Sequence, residues 1–419
     1  MLKLLVIADD FTGALDTGVQ FANLGVKTLV TADLVIDYEL LEDDLEVLVI
    51  DTESRYLSFT DSYTIISSLI EQSKKVQVPF IYKKVDSALR GNISSEIKAV
   101  LDHFPERTIP FIPAFPEINR IVRDGNLYIN GQLVAESVFG QDPYEPVAES
   151  NIPKRLLDEA NVDTQLIRVD QIEEARAGLL LFDSETDEQL LQIMTALKKH
   201  NISDITIGCA GFAKVLADTI FSNRAAHKAV IHEPLVVICG SVNPITRQQI
   251  EYAETKKCKR YSLSPRQLLE TDYWGSRDGQ ESLESYLVDM LENELIIFET
   301  LSDYTMNNLE SYGESNHVPS SEFRFRIAQS LGNLSKQLLN RNINRTLLFT
   351  GGDTLFQSMQ VLKINEVTPL CEISQGVVLS EMMWKDKPIQ VITKSGGFGP
   401  KELFDDLNKQ IIEQEEQTC

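Results

Sequence analysis

No two cysteines in this chain stand three positions apart, so the usual seed of a zinc or dithiol redox site is missing. The five that occur (Cys209, Cys239, Cys258, Cys371 and Cys419) are odd in number and scattered, which fits free thiols in a reducing cytoplasm and excludes a disulfide framework. The five histidines, at 103, 200, 227, 232 and 317, lack metal-ligand spacing, so no His-based metal centre is expected and no protein ligand to a metal is assigned. No apolar run approaches the ~18 residues of a membrane span. The first apolar run is a few residues long and ends in acids, which does not read as a signal peptide. Walker A, GxGxxG and protein-kinase signatures are absent as well. Basic residues are in deficit: 39 Lys and Arg face 63 Asp and Glu, for a net charge of −24. That balance argues against a nucleic-acid backbone or an anionic membrane as partner. A small anionic substrate remains open, because a few local cations outweigh a distant acidic surface.

What is present is ordinary globular composition, 43% apolar and 24% charged, over 419 residues. That length predicts two domains or three. Short strand-like runs recur (LLVI, VKTLV, VLVID, PFIYKKVD, TIPFIPA, DITIG), with helical patterns such as SYTIISSLIEQSKK and ETDEQLLQIMTALKKH between several of them. The alternation predicts an α/β fold of two domains, each a largely parallel sheet flanked by helices, with the active site in the cleft between them. The Pro-marked stretch FGQDPYEPVAESNIPKRLLDEA interrupts the pattern, and Ser150 or Asn151 is placed to cap a helix carrying Pro153 in its first turn. The polar segment FSNRAAHKAVIHEP predicts a junction, giving domains 1–230 and 231–419. The second half opens with LVVICGSVNPIT, continues through a long helical and loop region and a helix from Ser320 or Ser321 to about Asn340, and ends in the strands RTLLFTGG and PIQVITKSGG. The tail KQIIEQEEQTC reads as a charged, fraying helix end.

Three strands of the second half run into glycine loops that precede helices. These are Gly240-Ser241 before Asn243-Pro244, Thr350-Gly351-Gly352-Asp353-Thr354, and Lys394-Ser395-Gly396-Gly397-Phe398-Gly399-Pro400. In a parallel sheet all three lie at the carboxyl edge, where ligands of open α/β folds bind. Glycines let backbone N–H groups approach a ligand, and helix N-termini add partial positive charge. Any one such loop is as readily a simple chain turn. Three together favour a phosphate-bearing ligand, most simply a nucleotide.

The first half is polar in a different way. LLVIADDFTGALD sets Asp9 and Asp10 side by side at a strand end, DTESRYL places Arg55, and IYKKVDSALRGN places Lys84, Asp86, Ser87, Arg90 and Asn92. Carboxylates accept from ligand hydroxyls, and an Arg or Lys holds a ligand carboxylate. Successive residues leaving a strand face opposite ways, so one of the two acids is free to hold a hydroxyl while the other caps the helix that begins near Thr12. The competing account is an ion-pair network that merely joins strand ends. Lys83 reads as a solvated neighbour, Asp16 as a helix-surface or outer acid, and His103 as structural or exposed.

ADDFTGALD, DTESR, KKVDSALRGN, IPAFPE…DGNLYINGQ, CGSVNPIT, TGGDT and TKSGGFG occur in that order over almost the whole chain. In this the sequence resembles the four-carbon acid sugar kinases, which include D-threonate, D-erythronate and 3-oxo-tetronate kinases. The resemblance implies an N-terminal sugar-acid domain, a C-terminal nucleotide domain, and ATP-dependent phosphorylation of the terminal hydroxyl of a C4 acid. It implies sugar-acid contacts from Asp10, Arg55 and the Lys84–Arg90 segment, and ATP contacts from Ser241, Gly351 to Thr354, and the Gly396-Gly397 turn. Two stretches depart from the pattern. DSALRG stands where DSTLRG is expected, and EINRIVRDGNLYINGQLVAES stands where a Gly-Arg step and a Thr are commoner. Both bear on the choice of substrate more than on the reaction.

On this reading Asp10 or Asp86 orients or deprotonates the hydroxyl, with Asp10 favoured. Asp9, Lys84, Ser87 and Arg90 line the substrate, and Arg55 clamps its carboxylate. The glycine loops and Lys394 steady the phosphates. Magnesium bridges those phosphates, with Asp353 a candidate outer contact. Closure of the two domains is expected to expel water. The oligomeric state stays open, a homodimer being one option. One rival is an aspartate-nucleophile phosphatase, which needs its two acids separated by one residue. Another is a non-catalytic sugar-acid sensor that binds nucleotide.

Overall fold

The protein is described from a computed structural model covering residues 1–142, 145–222, 224 and 230–418, with side chains at all of these but 353 and 412–418. The chain divides into two compact units, Met1–His227 and Lys228–Cys419.

In the first unit, β1 (Leu4–Ala8), β2 (Thr28–Thr31), β3 (Val47–Asp51), β4 (Phe80–Lys84) and β5 (Thr108–Ile112) come first. A small antiparallel sheet follows, made of β6 (Arg120–Arg123), β7 (Asn126–Ile129) and β8 (Gln132–Leu133). β9 (Thr164–Ile167), β10 (Gly178–Phe182) and β11 (Ile205–Gly208) complete the large sheet. Its order is β2-β3-β1-β4-β11-β5-β10-β9, and every pairing is parallel. Strands covered by helices on both faces have no polar side to present. β1 and β3 are accordingly buried at every position. The chain lays β2 and β3 on one side of β1 and then crosses over to add β4 on the other, so the carboxyl ends of β3, β1 and β4 stand beside a topological switch point. α1 (Phe11–Ala22) leaves β1 directly, α2 (Phe59–Val76) and α3 (Ile93–His103) flank β4 in sequence, and α4 (Ile152–Ala160), α5 (Asp187–Lys199) and α6 (Ala210–Ile220) follow. Asn151 caps α4 by accepting from Lys154 N, with proline in the first turn, as the sequence predicts.

In the second unit, β12 (Leu235–Cys239), β13 (Lys259–Ser262), β14 (Ile296–Glu299) and β15 (Thr346–Thr350) are joined by β16 (Glu366–Ser374), β17 (Val377–Trp384) and β18 (Lys387–Lys394). The order is β13-β14-β12-β15-β18-β17-β16, parallel as far as β18 and antiparallel beyond it. The helices are α7 (Pro244–Glu254), α8 (Pro265–Leu269), α9 (Arg277–Glu292), α10 (Asp303–Ser315), α11 (Phe323–Asn340), α12 (Gly352–Leu362) and α13 (Leu403–Thr418). Leu235, Val237, Leu348, Ile392 and Phe404 belong to one apolar core that fixes α13 against the sheet. β12, β15 and β18 are neighbours, so their three glycine loops emerge side by side. Among the described residues no helix is long and apolar enough to cross a membrane. Cys209, Cys239 and Cys258 carry free thiols, and Cys419 with the side chains of the tail helix lies outside the described residues.

Three sequence expectations need correction. The region after β12 is not only helix and loop, since β13 and β14 lie in it. RTLLFTGG and PIQVITKSGG are not the only late strands, because β16 and β17 stand between them as antiparallel partners. Lys83 is not solvated: it is 1% exposed, because β4 is interior and both of its faces are covered. Lys83 and Lys84 point to opposite faces of the sheet. Lys83 Nζ donates to the carbonyls of Ile7 (3.2 Å) and Lys84 (2.6 Å) and lies 2.9 Å from Glu96 Oε2 on α3, close in distance though not aligned as a hydrogen bond. Ser54 and Ser62 donate to the other oxygen of Glu96. Removing one member of such a pair strands a charge in the interior. Lys83→Ala is therefore expected to lose about 3–5 kcal/mol in urea unfolding. Lys83→Met combined with Glu96→Gln, which keeps an acceptor for Ser54, should recover much of that loss.

Candidate functional site

At the switch point of the first unit the two adjacent acids divide their work. Asp10 is the N-cap of α1, its Oδ1 accepting from Gly13 N at 3.1 Å. Asp9 turns inward and is 1% exposed. Arg55 donates through Nε and Nη2 to Asp9 Oδ2, at 2.9 and 2.8 Å, and its Nη2 lies 2.7 Å from Asp10 Oδ1. Lys84 Nζ donates to Asp9 Oδ1 at 3.0 Å and to Asp10 Oδ1 at 3.1 Å. Burial works against charge on Asp9, but the Arg55 guanidinium and the Lys84 ammonium outweigh it and hold the carboxyl well below the usual range. The same acids raise Lys84 and Arg55 above their ordinary values against the pull of burial. The repulsion between neighbouring carboxylates is thus met by two shared cations.

The loop after β4 is built around a third acid. Asp86 takes a bidentate pair from Arg90, with Nε to Oδ2 at 2.9 Å and Nη2 to Oδ1 at 3.1 Å, and its Oδ2 also accepts from the backbone N–H of Ala88 and Arg90. Leu89 within this loop has φ 59°, a left-handed conformation costly for a leucine. The turn is held from outside. Arg155 of α4 donates to the carbonyls of Leu89 (2.5 Å) and Gly91 (3.1 Å), and Asn92 Nδ2 donates to those of Ser54 and Leu57. Gly91 is required where it stands: its φ is +78°, and a Cβ there would sit 2.6 Å from Arg55 Cγ.

These contacts redistribute the expected roles. Arg55, expected to clamp a ligand carboxylate, already spends its fork on Asp9 and Asp10 and fixes those acids in place. Asp86, expected as an alternative proton acceptor, has both oxygens committed to donors. Burial opposes its charge, but Arg90 and then Arg55 hold it well below the usual carboxylate range, which makes it the anchor of its loop. Asp10 is the acid of the three that reaches solvent, with its side chain 19% exposed against 2% for Asp9 and 8% for Asp86. Ser87 accepts from Arg120 Nη1, a contact the sequence reading did not foresee. Asp16 is half-buried, and His103 ends α3 half-buried, its imidazole lowered by burial and Lys74. Glu145 was also missed. It is half-buried with Oε1 shielded and unpartnered, and burial pushes its carboxyl up to about 7 although Arg55 and Arg90 pull the other way.

In the second unit the three glycine loops meet. Gly240 N donates to Thr350 O and Gly351 N to Lys394 O, which ties each loop to the next. A Cβ on Gly240 would lie 2.1 Å from Thr354 Oγ1, and one on Gly396 would lie 2.3 Å from Ser241 Oγ, so the loops close on each other only because side chains are missing there. Thr246 donates to Gly396 O, and Gln249 Nε2 donates to the carbonyls of Phe398, Gly399 and Pro400. Gly351 precedes α12 as its N-cap residue and makes no side-chain cap to the first turn. Beneath lies Lys394, 2% exposed, donating to Thr246 Oγ1 (3.1 Å) and to the carbonyls of Ser395 and Gly396 (3.0 Å each). It has no carboxylate partner among the described residues, and burial lowers its ammonium to about 8. Gly352 begins α12, Gly397 is exposed at the loop tip, and the side chain of Asp353 lies outside the described residues. Backbone donors, an uncapped helix and an unpaired buried cation fit a phosphate-bearing ligand. Among the described residues no group of three or more His, Cys, Asp or Glu is arranged to hold a metal ion.

Residues 4–216 match the family described as "Sugar-binding N-terminal domain", and residues 236–404 match that described as "Nucleotide-binding C-terminal domain". Among characterised relatives, the chain is similar to a D-threonate kinase of Bordetella bronchiseptica, 27% identical, with 95% of each chain covered. It is also similar to a D-erythronate kinase of Heliobacterium modesticaldum, at 23% identity over 88% of this chain and 89% of that one. A 3-oxo-tetronate kinase of Pectobacterium atrosepticum matches at 26% identity over 98% and 100%. A Salmonella typhimurium LT2 protein, solved under the working description of a tRNA synthase, shares the fold with a TM-score of 0.80 at 20% identity, covering 97% of this chain and 98% of that one.

The acid–cation cluster depends on a missing methyl group. A Cβ on Gly13 would lie 1.8 Å from Lys84 Nζ and 2.5 Å from Asp10 Oδ1. Gly13→Ala must push the ammonium off both acids inside a packed site, and is expected to cost about 1–3 kcal/mol. Urea unfolding measures the loss, and an unchanged midpoint would show that Lys84 has another place to go.

Proposed function

We propose that this chain, which belongs to the four-carbon acid sugar kinase family of paired sugar-binding N-terminal and nucleotide-binding C-terminal domains, transfers the terminal phosphoryl group of ATP to the 4-hydroxyl of a four-carbon sugar acid. The observation that carries most weight is Lys394, a buried cation with three neutral acceptors beneath three glycine loops. A cation kept in the interior without a counter-ion is costly, and a polyphosphate supplies the charge it lacks. Ser241, Gly352, Gly396 and Gly397 line the same loops, where their backbone N–H groups receive phosphate oxygens, while Gly351, whose N–H is given to Lys394 O, holds the loops together. Thr354 supports Gly240 from within.

In the first unit, Asp10 orients the acceptor hydroxyl. Its hydrogen bonds from Lys84 and Gly13 both fall on Oδ1, and its side chain reaches solvent. Asp9, Arg55 and Lys84 hold Asp10 in register, and Ser87 and Arg90 border the acid. ATP would supply the phosphoryl group and leave as ADP, and magnesium would offset charge on the phosphates. The protein's part is placement and charge complementarity, which dominate catalysis of phosphoryl transfer. D-threonate, D-erythronate and 3-oxo-tetronate are the candidate acceptors. An aspartyl-phosphate mechanism is disfavoured, because Asp9 is enclosed by Arg55 and Lys84 and Asp10 caps a helix.

Two measurements test this reading. With ATP and magnesium, a panel of C4 acids should give acid-dependent ADP release and a 4-phosphate product seen by phosphorus NMR. Asp10→Asn should slow the reaction by ~10²–10⁴. Acid binding with no ADP release would instead favour a sensor.

The second measurement follows ADP affinity against pH. The Lys394 ammonium is lost as pH rises through about 8. Affinity should therefore be full below that pH and fall by up to about tenfold per unit above it. Lys394→Met should bind weakly at neutral pH and show no such slope.

A further inference from the structure

Arg120 opens β6, directly after the left-handed Asn119 (φ 54°), and its backbone pairs with Phe115. Its side chain reaches the Asp86 loop, where Nη1 donates to Ser87 Oγ. The guanidinium carbon lies 4.9 Å from the centre of the Phe139 ring, and Arg90 approaches the same ring at 5.3 Å. The other cations of the cluster are neutralised. Arg55 and Lys84 sit on Asp9 and Asp10, Arg90 sits on Asp86, and Arg155 pairs with Glu159. Arg120 has no carboxylate within ion-pair distance among the described residues. Burial lowers its guanidinium, with Asp86 pulling the other way. An aromatic face and a hydroxyl orient a guanidinium without cancelling its charge.

We propose that Arg120, oriented by Ser87 and Phe139, grips the carboxylate of the sugar acid and so selects acids over neutral polyols. This rests on reading the first unit's cluster as the sugar-acid site. With Nη1 on Ser87, the fork still offers Nη2 and Nε, an edge that matches the two oxygens of a carboxylate. Ser87 Oγ accepts from Arg120, so its own proton is free to donate to the same ligand. Asp10, reaching solvent at the end of β1, takes the hydroxyl end. A four-carbon acid thereby has one end for a cation and the other for an anion, which fixes which hydroxyl faces the phosphate.

The test is calorimetric titration of the full chain with D-threonate and D-erythronate, and with threitol and erythritol, which keep hydroxyls but lack the carboxylate. ATP turnover is measured separately. The wild type should bind at least one acid and prefer it to both polyols. Arg120→Gln should weaken that acid by about 10- to 100-fold and leave polyol binding where it was. Arg120→Lys should restore part of the loss. Arg123→Gln, an exposed arginine of the same strand paired with Glu185, should change nothing and controls for the integrity of the small sheet. Acid affinity in Arg120→Gln within about threefold of wild type overturns the proposal, as does a wild type that does not prefer acids to polyols. Loss of acid binding in Arg120→Gln together with no ATP turnover by the wild type would uphold Arg120 and defeat the kinase reading. Normal turnover with undiminished acid affinity in the variant would do the reverse.

Discussion

The pairing of Asp9 with Arg55 and Lys84 is the constraint on which the first unit's chemistry depends. Three charged groups are taken almost wholly out of water at the ends of three adjacent strands. Their desolvation is repaid only if the geometry is good and each remaining lone pair or proton finds a partner. That condition reaches outward. Gly13 must lack a Cβ so that the ammonium fits, and Gly91 must lack one so that Arg55 can pass. Glu53 must enter a left-handed conformation (φ 44°) to carry the chain from β3 round to Arg55. The cluster serves less as a source of net stability than as a jig: it leaves Asp10 with one oxygen held and its side chain at the surface.

The second unit meets charge by the opposite arrangement. Where the first unit pairs Arg55, Lys84 and Arg90 with its own acids, the second keeps Lys394 among neutral acceptors beneath its glycine loops. Both arrangements follow from parallel strands ending side by side, which places chemistry on loops and leaves the sheet to packing. They differ in what is left over: a carboxylate at the surface together with Arg120 in one unit, and Lys394 in the other.

Much of this was legible because the motifs sit on strand ends. Short apolar runs closing in acids, cations or glycines locate themselves in an α/β fold, and the runs at β1, β3, β4, β12, β15 and β18 do so. Lys83 was misplaced because adjacent lysines look like surface, whereas an interior parallel strand buries both of its faces. β13 and β16 failed to register because polar residues fill much of them: KRYS is only half-covered, and EVTPLCEIS mixes charge with apolar positions. The hairpins of the small sheet carried a usable signal in Asp124-Gly125 and Asn130-Gly131, dipeptides whose positive φ angles suit tight two-residue turns. Reading those turns would have set Arg120 at the head of a strand. Its contact with Ser87, 33 positions away, is tertiary and has no local signature. Glu145 is likewise defined only by what surrounds it. Asn119 explains one departure from the family pattern, since asparagine tolerates the left-handed backbone where glycine is commoner.

The brace that Arg155 provides behind the Asp86 loop has a consequence for affinity. A segment that must order itself when a ligand arrives gives up part of the binding free energy to lost freedom, on the order of 1–2 kcal/mol per residue fixed. Here the turn through Leu89 and Gly91 is tied down in advance by a helix on its far side and by Asn92 beneath. The small polar acid proposed as ligand, with few atoms and few contacts to give, would meet a receptor that has already gone quiet. The entropy was surrendered during folding, and little remains to be surrendered at the moment of encounter.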